Sequence, residues 1–165
     1  GRSRSGPGVT VTAPEGRPRP DGTPNVVDSS AWLAYFAEEP AADLFAPAIE
    51  DVTRLVVPAI VLAEVVRVIV REQGEGEALQ AAAVMRQGRV VDVDATIAQG
   101  AGRLAADHRL PLAAALVHAT ARVVGGVVWT SDEELRPLPN VEYVPRRIAR
   151  SISHPNIPAN PSAVR

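Results

Sequence analysis

Apolar and polar positions along the chain fall into short blocks that predict strands and helices in turn. Val26 and Val27 run straight into Asp28 and predict a short strand over 25–28 that ends on a carboxylate. A continuous apolar run of this kind suits a strand buried on both faces. Ser30 is a good N-cap for a helix over 30–38. Pro40 opens a second helical piece over 41–49, with Leu44, Phe45, Ala48 and Ile49 on one side. A strand over 55–57 is closed by Pro58. The helix predicted over 59–73 is apolar around most of its circumference, so heavy burial is expected, yet Glu64 sits inside that apolar set. Gly74 and Gly76 break it before an Ala-rich helix over 77–87. A third strand is predicted over 89–93, a helix capped by Asp94 over 95–108, and another over 112–124 after Pro111. Gly125-Gly126 precedes a strand over 127–129 that exits into Thr130-Ser131-Asp132, and a last strand is predicted over 141–144. The order β-α-α-β-α-α-β-α-α-β-β argues for an α/β fold, a mainly parallel five-stranded sheet with helices on both faces.

Composition marks the ends. Residues 1–24 are dominated by Gly, Pro, Arg, Ser and Thr and are expected to be a disordered tail, with a Val-Thr-Val that could pair on a neighbour. Residues 145–165 read as a basic, Pro-containing tail. One domain over 25–144 lies between them. No apolar run of membrane length and no secretory segment stands out, so a soluble, cytoplasmic protein with no membrane role is expected.

Charge and missing residue types narrow the chemistry. All 17 basic residues are Arg, so lysine Schiff bases and a P-loop lysine are excluded. There is no Cys, which removes disulfides, thiolate metal sites and cysteine nucleophiles. The net charge of −2 divides into +2 over 1–24, −8 over 25–144 and +4 over 145–165. An acidic body suits a carboxylate cluster that recruits a divalent cation.

Three acids occupy special places. Asp28 ends the first strand, Asp132 follows the fourth by two residues, and Glu64 lies among apolar helix neighbours. Ligands in open α/β sheets bind outside the carboxyl ends of strands, so neighbouring first and fourth strands would gather all three at one edge. Glu64 is costly there unless paired, hydrogen-bonded or metal-bound; a solvated position or an ion pair with Arg67 is the plainer reading. Carboxylates without His or Cys select Mg²⁺ or Mn²⁺ over Zn²⁺. Such a site can activate water and offset charge on a phosphodiester. Ser29, Ser30, Thr130 and Ser131 could orient carboxylates or hold metal waters, although capping is the favoured role for Ser30.

Four segments, VVDSSAWLAYF at 26–36, VPAIVLAEVVRVIVR at 57–71, LPLAAALVHATA at 110–121 and VVWTSDEEL at 127–135, resemble a PIN domain, specifically the VapC-type toxins of bacterial toxin–antitoxin pairs. The resemblance implies an α/β/α sandwich and a Mg²⁺- or Mn²⁺-dependent ribonuclease acting on a transfer or ribosomal RNA loop. It implies a homodimer, held inactive by a small antitoxin whose tail fills the acidic groove, with an Arg or another cation entering it. It assigns the catalytic, metal-binding acids to Asp28, Glu64 and Asp132, and the hydroxyl before the last of them to Thr130 or Ser131. One position departs: the fifth residue of LPLAAALVHATA is Asp in the family and Ala114 here. Asp107 is seven residues earlier, on the preceding helix. A methyl cannot ligate metal, so hydrolysis should be strongly impaired. Two explanations stand open: a deliberate Asp→Ala change, or a natural member that binds RNA or an antitoxin without cutting.

Other candidates are weaker. His118 lies one helical turn beyond Ala114. Trp32 and Tyr35 could stack on a base, but packing is the favoured role. Arg146, Arg147 and Arg150 could touch RNA phosphates, an antitoxin or solvent. Rival α/β readings each lack a residue. A dehalogenase-type phosphatase needs an acid at Ser30, a receiver domain needs a late Lys, an adhesion-type metal site needs Ser where Trp32 stands, and a dinucleotide site needs a Gly-rich first turn.

Overall fold

The computed structural model describes residues 22–146. The tail expectations for 1–21 and 147–165, including the Val-Thr-Val pairing, Arg147 and Arg150, lie outside the described residues.

Eleven elements follow in the expected order. They are β1 (Asn25–Val27), α1 (Ser29–Phe36), α2 (Ala42–Glu50), β2 (Leu55–Pro58), α3 (Ala59–Gln73), α4 (Glu75–Met85), β3 (Arg89–Val91), α5 (Ala95–His108), α6 (Leu112–Val124), β4 (Val127–Thr130) and β5 (Val141–Tyr143). The strands form one sheet in the order β3-β2-β1-β4-β5, and every pairing is parallel. Chain direction across the sheet reverses at β1: the chain steps outward to β2 and β3, then returns to β4 on the other side. Right-handed crossovers therefore put the helices of the two halves on opposite faces. The crevice between β1 and β4 is the topological switch point, where open sheets bind ligands.

The core is aliphatic. Val26, Val27, Val56, Val57 and Val128 are sealed within the sheet, while Trp32, Phe45, Val61, Val65, Ile97 and Val117 close its faces. Trp32 stacks on Phe36 with ring centroids 5.5 Å apart. It is fully buried, which rules out a base-stacking role for it. The half-buried Tyr35 donates its hydroxyl to Glu50 Oε1 at 3.1 Å.

Several boundaries differ from the sequence reading for local reasons. Helix α1 is capped at Asp28 rather than Ser30 and ends at Phe36. Gly74, at φ +96°, alone separates α3 from α4, and Gly76 lies inside α4. Strand β3 stops at Val91 because its last partner in β2 is Pro58; Asp92 and Val93 are exposed beyond it. Strand β4 extends to Thr130 because Thr130 pairs with Tyr143. Heavy burial all round α3 is not found: Val61, Val65 and Ile69 are buried, Ile60, Leu62 and Val66 only partly, and Val70 is exposed. A four-residue repeat faces the core, Ile60, Leu62 and Val66 pack against its margin, and Val70 lies outside it. Asp94 caps α5 as expected, accepting from the Ile97 N–H at 2.8 Å.

Gly126 marks the tightest entry into the sheet. A Cβ there would lie 2.8 Å from the Pro24 carbonyl oxygen and 3.1 Å from Val26 Cγ2. That carbonyl also accepts the Val127 N–H at 2.9 Å, so it cannot retreat without loss of a bond. Gly126→Ala is expected to cost about 1–3 kcal/mol in urea unfolding.

Candidate metal centre

The site is built where β1 and β4 end side by side. Their register pairs Val27 with Trp129, so Asp28 emerges level with Thr130. The Asp28 N–H donates to the Trp129 carbonyl at 3.0 Å. Asp28 is only 5% exposed.

Two hydroxyls hold one oxygen of this carboxylate. Thr130 Oγ1 donates to Asp28 Oδ2 at 2.7 Å, and Ser30 Oγ donates to the same atom at 3.0 Å. Each hydroxyl is itself fixed by a backbone donor from the β4 exit. Ser131 N donates to Ser30 Oγ at 2.9 Å, and Asp132 N donates to Thr130 Oγ1 at 2.9 Å. Two parallel relays thus tie the first turn of α1 to the chain leaving β4, and both end on Oδ2. Neither engages Oδ1.

Ser30 is therefore a member of the site, and its expected capping role is overturned. Asp28 already occupies the cap, which leaves the Ser30 hydroxyl inside the first turn and facing β4. The Asp-x-Ser spacing was the available signal, but it is equally the signature of a helix start. Thr130 reaches Asp28 directly. Ser131 is buried, and its Oγ has no partner among the described residues.

The electrostatics join the three acids. Burial pushes the Asp28 carboxyl above its ordinary range; Thr130, Ser30 and the Ser29 N–H pull it down, and the Asp132 charge pushes it up further. Burial also raises Glu64, the Asp28 charge adds to this, and Asp132 contributes in the same sense. The Ser29 hydroxyl and Arg67 offset it only in part. Glu64 stands in the second turn of α3, which begins as β2 ends, so α3 starts at this same edge. Asp132 Oδ1 accepts the Glu134 N–H at 3.0 Å, which fixes its carboxylate in a turn.

Repulsion among three acids is what a bound cation would relieve, and an all-oxygen donor set fits a hard divalent ion. Among the described residues no group of three or more His, Cys, Asp or Glu closes to metal-holding distance. Ala114 is buried in the first turn of α6, and its methyl offers no oxygen to a cation. Asp107 is exposed near the C-terminus of α5.

His118 does not join this edge. It is buried, its Nε2 lies 2.9 Å from the Pro139 carbonyl, and burial lowers its pKa. It lines a cleft of about 610 Å³ with Gly126 and Val127, at the opposite ends of the strands.

Thr130→Val removes a donor from a buried carboxylate and an acceptor from the Asp132 N–H. It should cost about 1–3 kcal/mol of stability in urea unfolding. Mn²⁺ affinity, read by titration, should fall about 10–100-fold.

The PIN domain family model matches residues 26–140. The chain belongs to the PIN domain family. Solved structures agree on the fold. A toxin–antitoxin complex from Klebsiella pneumoniae aligns with a TM-score of 0.62 at 17% identity, over 76% of this chain and 98% of that one. VapC20 of Mycobacterium tuberculosis, a sarcin–ricin loop cleaving toxin, aligns with a TM-score of 0.62 at 23% identity, over 73% and 99%. DNA-bound VapBC from Salmonella typhimurium gives 0.60 at 14% identity, over 76% and 99%. No curated protein matches the chain in sequence. Among the described residues no helix is long and apolar enough to cross a membrane.

Proposed function

We propose that this PIN domain is a VapC-type endoribonuclease toxin of the cytoplasm whose hydrolytic power is reduced by Ala114. The observation that carries the reading is the pair of hydroxyl relays that hold a buried Asp28, in electrostatic contact with Glu64 and Asp132, at the β1–β4 switch point. Asp28, Glu64 and Asp132 would hold Mg²⁺ or Mn²⁺, which when bound supplies an activated water and offsets charge on the scissile phosphodiester. Thr130 and Ser30 keep Asp28 Oδ2 in place, and Ser29 steadies Glu64. Ser131 supplies its backbone N–H to Ser30. The substrate class is RNA, in keeping with the sarcin–ricin loop cleaved by one structural neighbour, and a transfer RNA loop is the other candidate. Two of the neighbours are a toxin–antitoxin complex and a DNA-bound VapBC, which supports an antitoxin partner; on this reading a small antitoxin inserts an Arg or another cation beside the acids and neutralises them. Exposed Val70 of α3, with exposed Leu79 and Val84 of α4, which packs against it, supports a homodimer. We also infer tails over 1–24 and 145–165 around a single domain.

The test is cleavage of single-stranded RNA with Mn²⁺ by this chain and by Ala114→Asp. Metal-dependent cutting by Ala114→Asp, lost again on Asp28→Ala, is expected; an inert Ala114→Asp chain that still binds metal overturns the reading. One observation favours a second reading, a non-catalytic PIN protein that binds RNA or an antitoxin: the acid set is incomplete at Ala114.

A further inference from the structure

A cleft of about 590 Å³ opens directly beside the acids, between the ends of β4 and β5. Its walls are Ser131, Asp132, Glu133, Tyr143, Pro145 and Arg146. We infer that this cleft seats the unpaired nucleotide next to the scissile phosphate, with its base on Tyr143 and its phosphate at Arg146. The inference rests on the ribonuclease reading and adds a substrate subsite to it.

Two features point to a nucleotide. The first is a fixed aromatic ring. Tyr143 pairs with Thr130 across β4–β5, which places it one strand from Thr130 and two from Asp28. The Arg136 guanidinium lies 5.0 Å from the ring centroid, and the Tyr143 hydroxyl donates to Glu133 Oε1 at 3.4 Å. The ring is thus held from one face and at its tip while it still lines the cleft. Bases stack on such rings with little sequence preference, and unpaired RNA offers splayed bases to them.

The second feature is the cation. Arg146 also lines a smaller cleft, about 230 Å³, whose wall includes Ser30. It therefore stands at the junction of two clefts, one bounded by Ser30 and the other by Asp132. A guanidinium there can pair with a phosphate that would otherwise meet only carboxylates.

The experiment is fluorescence anisotropy of a labelled single-stranded RNA oligonucleotide with the full chain, Tyr143→Ala, Tyr143→Phe and Arg146→Ala, across a salt series. Tyr143→Ala should weaken binding about 10-fold, and Tyr143→Phe should stay within about 2-fold because stacking needs the ring alone. Arg146→Ala should weaken binding and reduce the salt slope by about one. Thermal unfolding and the Mn²⁺-induced rise in Tm should match the parent in Tyr143→Phe and Arg146→Ala. If the parent binds RNA and both Tyr143→Ala and Arg146→Ala bind it equally well, the subsite is wrong and the ribonuclease reading survives. If the parent binds no RNA, both fall.

Discussion

Ala114→Asp is expected to cleave single-stranded RNA in the presence of Mn²⁺ at least about 100-fold faster than the chain as it stands. Loss of a residue that merely supports a metal ligand commonly costs 10–100-fold, so loss of a carboxylate from the set itself should cost at least the upper part of that range. The position suits the change. Residue 114 is the third of α6, where an acid is favoured by the helix N-terminus. Helix α6 leads back into β4, so its first turn lies at the same sheet edge as Asp28 and Thr130. The restored chain should lose activity in EDTA and on Asp28→Ala. A fourth acid also adds repulsion, so Ala114→Asp should unfold at a lower temperature than the parent without metal and gain more from Mn²⁺.

Asp28→Asn is expected to stabilise the metal-free protein by about 1–2 kcal/mol, on the order of 5 °C in Tm. Asn keeps an oxygen for the Thr130 and Ser30 hydroxyls but removes a buried charge. The sign follows from the raised Asp28 and Glu64 carboxyls. A folded-state pKa above the unfolded value gives stability that is full below the unfolded pKa and lost as pH rises through the folded one. The parent should therefore lose metal-free stability from about pH 4 upward. The variant should lose less over the same range. Saturating Mn²⁺ should reverse the order, since binding to the folded state stabilises it by mass action. Thermal unfolding at pH 5 and pH 7.5, with EDTA and with Mn²⁺, checks both halves.

Much of this was legible in the sequence because parallel sheets write their buried strands plainly. Val26-Val27-Asp28 and Val127-Val128-Trp129 are apolar runs that end on polar residues, and their pairing gathers Asp28, Thr130 and Asp132. The role of Ser30 was not legible, since a hydroxyl two residues after a strand signals a helix cap as strongly as a carboxylate partner. His118, a weaker candidate from the start, stays out of the site for a geometric reason. It shares a helix face with Ala114, but α6 runs antiparallel to the strands, so one turn carries it about 6 Å away from the acidic edge. The ends of β3 and β4 depended on partners in neighbouring strands, which local pattern does not contain.

The central claim is that Asp28, Glu64 and Asp132 form one divalent-cation site at the β1–β4 crevice. Calorimetric titration of Mn²⁺ into the parent chain, Asp28→Asn, Glu64→Gln and Asp132→Asn tests it most directly. Measurable binding by the parent that weakens at least about 10-fold in each of the three variants is predicted. Binding that is unchanged in Asp28→Asn, or no binding by the parent at millimolar Mn²⁺, would contradict it.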